Sequence, residues 1–329
     1  MARAVAARAG LLLAAGGMIV LLPTVVSHFR SYQFTLVGIY FIAIVGLNVV
    51  TGYSGQISLG QGAFMAIGAY TTAILNVNYH VGIYWTIPCA GVIAGVIGLA
   101  FGFPALRLSG VYLALATFAL ATSIVLVAKR FDHFTGGTPG KVLPLPSSPT
   151  HHLATQVWLY YLTWAIAAVL LVAVWLPLRG RIGRSLRAVR DAPIAATSFG
   201  VSLPRFKTLA FAISALYAGV AGALYAIAIA FVNPDTFPVS LSILLLTGAV
   251  LGGLGSLSGM IFGALFIEFV PVWAQNLNQS SPTVLYGVIL IVVLYALPGG
   301  AGGVINSLGQ ASRRASARLE ARRVSREPG

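Results

Sequence analysis

Charged residues are scarce in this sequence. They make up 8% of its 329 residues, whereas a soluble domain typically carries about 25%. Hydrophobic residues account for 58%, and so few charges over so much apolar surface exclude an ordinary soluble protein. In a bilayer the backbone must bond within itself, as helices or as a closed barrel. The runs at 157–178 and 284–297 are apolar on every side instead of alternating, so we predict an all-α integral membrane protein.

Cysteine and acidic residues are nearly absent, which excludes several kinds of site. The single cysteine, Cys89, permits neither an intrachain disulfide nor a thiolate metal site. The stretch Gly137–Lys141 lacks the spacing of a phosphate-binding loop, and the pair His151–His152 is isolated in a proline-rich stretch. We therefore predict no catalytic residue, no metal and no cofactor, and no enzyme activity in this chain. The basic residues lie between and after the apolar runs, so we expect contact with membrane lipid and not with nucleic acid.

Apolar segments recur along the whole chain. The first follows Arg3 and Arg8, and we interpret it as a retained span because no convincing cleavage site follows it. The third and eighth segments are glycine-rich, which makes them candidates for broken or re-entrant segments. We predict about ten transmembrane segments, at 10–27, 34–52, 55–76, 84–104, 109–129, 156–178, 207–231, 239–254, 257–275 and 283–298.

The distribution of basic residues predicts the orientation in the membrane. If the N-terminus is cytoplasmic and all ten segments cross, 16 of the 20 Lys and Arg residues lie inside, as the positive-inside rule requires. This arrangement predicts cytoplasmic termini and a transmembrane domain over residues 1–311. It places a loop at 131–155 outside, where its Gly and Pro residues predict turns. It places a loop at 179–206 and a basic, disordered tail at 312–329 inside.

The cytoplasmic loop at 179–206 has the pattern of two short helices. The first is expected over Gly183–Asp191, and Ala192 should end it because the residue before a proline avoids the α conformation. The second is expected over Pro193–Phe199, with the proline in its first turn and Gly200 just beyond its end.

The first of these helices is two-faced. Its apolar side carries Leu186 and Val189, and we expect this stripe to be exposed and to need a partner. The partner is either the membrane interface or a groove in a soluble subunit. The opposite side carries the charged residues Arg184, Arg187, Arg190 and Asp191.

The third segment is unusually polar for lipid. Glycine occurs at positions 52, 55, 60, 62 and 68, and four uncharged polar residues lie among them. Irregular backbone at membrane depth persists only where protein or a water-filled cavity covers it. We therefore predict that this segment lines the substrate pathway, in preference to close helix packing through its small residues. The predicted pathway residues are Ser54, Gln56, Ser58 and Gln61.

One acidic residue, Glu268, lies deep in a predicted span. Ionisable residues inside a membrane usually face the protein interior or a cavity. We predict that Glu268 lies on the pathway or at a subunit interface. The alternative is a carboxyl group that is protonated or that reaches the membrane surface from the end of its span.

Several stretches resemble a known family. The pattern Ala195-Ala196-x-x-x-Gly200 resembles the coupling loop of bacterial ABC importer permeases, although Ile194 stands where the broad pattern has Glu. The string 183–226 more closely resembles the permeases of branched-chain amino-acid transporters, in particular their second, longer type. The strings 52–68, 135–140 and 251–259 are also similar to that family. The sequence departs from the family near Ser123, where an acidic residue is common, and at 297–300, which lacks a basic turn.

The resemblance implies a permease subunit of an ABC importer that translocates branched-chain amino acids across the bacterial inner membrane. The implied partners are a second permease subunit, two cytoplasmic ATPase subunits and an extracytoplasmic substrate-binding protein. A urea or short-chain amide permease is an alternative, and an ion-coupled secondary transporter is another, with Glu268 as its ion carrier. The residues expected to couple to the ATPases are Arg184, Leu186, Arg187, Arg190, Asp191, Ala195, Ala196 and Gly200.

Overall fold

In a computed structural model, the protein forms a bundle of long helices. The structure describes residues 22–23, 27–105, 108, 110–144, 154–277, 282–297 and 299–303. In chain order the helices are α1 (His28–Asn48), α2 (Gln61–Val77), α3 (Ile83–Ala105), α4 (Val111–Arg130), α5 (Asp132–Thr135), α6 (Thr155–Arg179), α7 (Arg181–Asp191), α8 (Pro193–Ser198), α9 (Leu203–Ile229), α10 (Val239–Gly252), α11 (Met260–Leu277) and α12 (Pro282–Ala296). Two-residue strands β1 (Lys141–Val142) and β2 (Phe231–Val232) pair antiparallel, with Lys141 opposite Val232.

Seven helices of the described part are long and apolar enough to cross a membrane. The all-α prediction is confirmed, but the count of about ten is not reached by these residues. The first predicted segment, 10–27, and the tail at 312–329 lie almost wholly outside the described residues, as does the pair at 151–152. Two other predicted segments correspond to shorter helices, α2 with 17 residues and α11.

The third predicted segment starts later than expected. We predicted a span over 55–76, whereas α2 begins at Gln61. Helix α1 first widens into a π-helical turn over Val49–Tyr53, and the chain then runs without regular structure from Ser54 to Gly60. The reason lies in the backbone, because Gly55 has φ +71°, a conformation that favours glycine and cannot continue a right-handed helix. The segment is therefore broken, as its glycine content indicated.

Helix α9 lies at the centre of the bundle and packs against α1, α2 and α3. Small residues allow their backbones to touch. A Cβ atom on Gly222 would fall 1.9 Å from the carbonyl oxygen of Met65 on α2, and one on Gly219 would fall 2.6 Å from that of Ala90 on α3. Membrane helices associate through such close packing because lipid supplies no hydrophobic driving force between them. By contrast, α12 is largely exposed and packs mainly on α11.

Contacts between loops join segments that are distant in the sequence. At one end, Lys129 forms an ion pair of 2.8 Å with Asp235, and Lys141 Nζ donates a hydrogen bond to Asn78 Oδ1 at 2.5 Å. At the other end, α7 contacts the π-helical turn that follows α1. Every one of these contacts joins two segments that we assigned to the same side of the membrane.

Candidate coupling and translocation site

The loop between α6 and α9 folds into two short helices, as predicted. Helix α7 ends at Asp191, and Ala192, with φ −149° and ψ 74°, breaks the chain before Pro193. Pro193 occupies the first turn of α8, where its missing N–H group costs little. Gly200 has φ +81° and therefore takes the left-handed conformation that commonly ends a helix.

The apolar side of α7 is not the exposed stripe that we expected. Leu186 and Val189 are 0% and 3% exposed, and Leu186 belongs to the hydrophobic core of the chain. The physical reason is that α7 lies against α6 and α9, which cover this face. Ala196 on α8 is buried as well. Within this conformation Leu186 and Ala196 hold the two short helices on the bundle and cannot contact a partner directly.

Two apolar residues that sequence reasoning did not select form the exposed surface instead. Ile194 on α8 is 84% exposed, and Phe199 at its end is 87% exposed. Arg184 and Arg187 on α7 and Ala195 on α8 are exposed as well. The signal was present in the sequence, because both apolar side chains lie in a polar loop. The resemblance directed attention to the alanines and the glycine instead.

Arg190 points away from this exposed surface and towards the break after α1. Its Nη1 donates a hydrogen bond to the Gly52 carbonyl oxygen at 2.5 Å, and its Nε donates to Asp191 Oδ1 at 2.8 Å. Arg187 instead donates to the Gly183 carbonyl oxygen of its own helix at 3.2 Å. Arg187 and Arg190 therefore make different contacts, although they share a sequence pattern.

The predicted pathway residues lie close together but face into the chain. Ser54, Gln56, Ser58 and Gln61 are each less than 9% exposed. Gln61 Nε2 donates to the Ala43 carbonyl oxygen at 2.7 Å, and its Oε1 accepts a hydrogen bond from Ser214 at 3.0 Å. Gln61 thus joins α2 to α1 and α9 through hydrogen bonds, a contact that neither the pathway prediction nor the small-residue packing alternative anticipated.

The other edge of the segment 54–60 is exposed at the surface of the chain. Exposed and buried residues alternate here. Gly55 and Ile57 are exposed, Ile57 by 44%, whereas Gln56 and Ser58 are buried. Gln56 Nε2 donates to Ser54 Oγ at 2.5 Å, and the Leu59 amide donates to Thr117 Oγ1 of α4 at 2.9 Å. The inward polar groups therefore fix the shape of an irregular segment whose backbone lies at the surface of this single chain.

Glu268 lies elsewhere in the bundle. It is half-buried on α11 and interacts electrostatically with Tyr32 and Tyr40 of α1 and with Tyr225 of α9. The rings of Tyr40 and Tyr225 are 6.5 Å apart. The structure thus places Glu268 among partly buried tyrosines and does not bring it to the polar residues of the break.

Comparison with known proteins identifies the family. Residues 30–297 match the family described as branched-chain amino acid transport system / permease component. The chain is 33% identical to the high-affinity branched-chain amino acid transport system permease protein LivM of Escherichia coli (strain K12) over 302 residues, covering 84% of this chain and 71% of that protein. It is 27% identical to the permease protein LivH of Salmonella typhimurium over 287 residues, covering 81% and 92%.

Among solved structures, the chain is similar to PsaBC from Streptococcus pneumoniae in complex with Fab. The TM-score is 0.45 and the identity is 13%, over 83% of this chain and 92% of that one. The family match spans most of the chain and includes the break after α1, the helices α7 and α8, and all of α9. This chain therefore belongs to the family of branched-chain amino acid transport system permease components.

Proposed function

We propose that this chain is a membrane-spanning permease subunit of an ABC importer that translocates branched-chain amino acids. The observation that carries the proposal is the family match over residues 30–297, which includes the two short helices. A second permease subunit would complete the pathway, and two ATPase subunits would supply the energy. A substrate-binding protein would deliver the amino acid from outside the bacterial inner membrane.

In this proposal the ATPases bind at α7 and α8 on the cytoplasmic side. The supporting observation is that Ile194 and Phe199 expose large apolar surfaces on a pair of helices that also exposes the cations Arg184 and Arg187. Exposed apolar residues with a polar rim are typical of a protein interface. The buried Leu186 would transmit movement of these helices into the bundle, since it fixes α7 to the core.

The segment 54–60 forms part of the pathway in this proposal. Its exposed edge at Gly55 and Ile57 leaves irregular backbone uncovered, which lipid does not tolerate. We infer that this edge faces the second permease or the water-filled path between the two subunits. Ser54, Gln56 and Ser58 then maintain the backbone shape, while backbone groups and apolar side chains meet the substrate. An aliphatic amino-acid side chain suits such a lining.

The first experiment is uptake of labelled leucine by cells that lack this chain, with and without complementation by it. We expect complementation to restore leucine uptake, and unlabelled isoleucine and valine, but not urea, to compete. Restored urea uptake without leucine uptake would keep the importer and change its substrate. Uptake that survives ATP depletion but collapses with an uncoupler would overturn the ABC assignment in favour of ion coupling through Glu268.

A further inference from the structure

The break after α1 and the break between α10 and α11 meet in one glycine junction, which we define as Asn48, Gly52, Gly55, Gly255 and Ser256. Asn48 is fully buried and bridges the two breaks. Its Oδ1 accepts a hydrogen bond from the Gly255 amide at 2.8 Å, and its Nδ2 donates to the Ser256 carbonyl oxygen at 3.1 Å. Two segments about 200 residues apart in the sequence are thereby held against each other through a single side chain.

The junction depends on glycine at the points of contact. A Cβ atom on Gly52 would fall 2.4 Å from the Gly255 nitrogen, so these backbones approach too closely for any side chain. Gly55 and Gly255 both have positive φ, +71° and +80°, which L-residues with side chains rarely adopt. Glycine is therefore required at both breaks, where the backbone leaves the helical conformation.

Arg190 of α7 enters this junction from the coupling helices. Its Nη1 donates to the Gly52 carbonyl oxygen at 2.5 Å and lies 3.3 Å from the position of a Cβ atom on Gly255. Its aliphatic stem lies against one side of Gly55, because a Cβ atom there would fall 2.5 Å from Arg190 Cγ. One side chain thus contacts the first break and lies close to the second. The guanidinium also lies at the C-terminal end of α1, where the helix dipole favours a cation.

We propose that Arg190 is the positioning residue that transmits movement of α7 and α8 to both breaks, and that the glycine junction is the point at which this movement reaches the spans. In the conformation described, Asn48 joins the two breaks and Arg190 connects them to α7. Displacement of α7 would withdraw the guanidinium from Gly52, and because Asn48 links the breaks, both would respond to the same movement. This inference rests on the proposed function, since it assumes that α7 and α8 are moved by ATPases.

The test uses the complete transporter, reconstituted in liposomes, with transport and ATP hydrolysis measured on the same preparation. For Arg190→Gln we expect the complex to assemble and to hydrolyse ATP at a rate within about twofold of wild type. The transport ratio, which is leucine transported per ATP hydrolysed, should fall at least about tenfold. This is the effect expected from losing one hydrogen bond to a charged group. Arg190→Lys keeps the cation, and its leucine transported per ATP should lie between the values for Arg190→Gln and wild type. Arg181→Gln is the matched control, since Arg181 is an exposed arginine on the same helix.

A second variant perturbs the junction without removing the arginine. Gly55→Ala should displace the Arg190 stem and lower the transport ratio in the same way. Gly110→Ala is its control, because Gly110 also has positive φ, +55°, but nothing within 4 Å of a Cβ atom. If wild-type transport is normal and leucine transported per ATP is unchanged in Arg190→Gln and Gly55→Ala, this inference is overturned while the proposed function stands. Parallel losses of stability, hydrolysis and transport in both variants would also overturn it, as a purely structural role predicts.

The same preparation separates this inference from the function on which it rests. Wild-type liposomes that hydrolyse ATP but accumulate no branched-chain amino acid would overturn the proposed function, and this inference with it. Wild-type transport with an intact ratio in the Arg190 variants would leave the proposed function standing.

Discussion

The exposed pair Ile194 and Phe199 gives the sharpest quantitative test of ATPase docking. In this single chain the two residues are 84% and 87% exposed, so nearly all of their apolar surface is available to a partner. Fully burying a side chain of this size contributes about 1.5–3 kcal/mol. Replacement of either residue by serine should therefore weaken the binding of the ATPase subunits by roughly 10- to 100-fold, at about 1.4 kcal/mol for each factor of ten.

The assay titrates labelled ATPase subunit into the purified, detergent-solubilised permease pair. Ile194→Ser and Phe199→Ser should leave the thermal unfolding of the permease unchanged to within about 0.5 kcal/mol, because neither side chain is packed in the free chain. Tyr79→Ser is the matched control. Tyr79 is 64% exposed in the loop between α2 and α3, at the opposite end of the bundle, and its removal should not alter ATPase affinity.

An ATPase affinity within about twofold of wild type in both serine variants would refute this reasoning, since it lies well below the loss expected from burial. The competing interpretation is that α8 lies in the membrane interface and inserts these residues among the headgroups. That interpretation predicts quenching of a fluorophore at position 194 by a lipid-borne quencher before any ATPase is added. The docking interpretation predicts protection of the same fluorophore only after the ATPase binds.

Two further predictions concern the packing of the bundle. Gly222→Ala should lower the free energy of unfolding by about 1–3 kcal/mol or more, because its Cβ atom would fall 1.9 Å from a carbonyl oxygen of α2. The control is Gly287→Ala on α12, where a Cβ atom would have nothing within 4 Å. This control should not destabilise the protein in the same thermal unfolding assay. Gln61→Leu should retain leucine uptake if the amide serves packing alone, whereas Gln61→Glu would place a carboxyl group against the Ala43 carbonyl oxygen and reduce folded protein. Lost uptake in a well-folded Gln61→Leu protein would contradict the packing role.

The spans and the two short helices α7 and α8 could be predicted because their signals are local. Continuous apolar runs set the positions of helices such as α6 and α9. In the loop between them, Pro193 and Gly200 carry conformational restrictions that act on their own backbone. Those restrictions do not depend on which helices lie nearby, and the structure accordingly places the break at Ala192 and a left-handed residue at Gly200.

The errors arose where the outcome depends on distant parts of the chain. Helical periodicity showed that Leu186 and Val189 share a face, but it could not show that α6 and α9 cover that face. In the same way, polarity alone could not show that the hydrogen-bond partner of Gln61 is Ser214, which lies 153 positions later; its place on the pathway stays a prediction. The bridge from Asn48 to Gly255 is equally invisible in the sequence, because no local pattern pairs two turns so far apart.

Glycine has two opposite mechanical roles in this chain, and the backbone conformation decides which one applies. Gly219 and Gly222 lie in regular helix and bring α9 into backbone contact with α2 and α3, which fixes these helices as one unit. Gly55 and Gly255 have positive φ at breaks in the chain, a conformation that residues with side chains rarely adopt, and there they end the regular helix instead. Movement of α7 would therefore act on helices packed as one unit through its contact with α9, and on irregular backbone through Arg190. We expect the displacement to be concentrated in the irregular backbone of the junction.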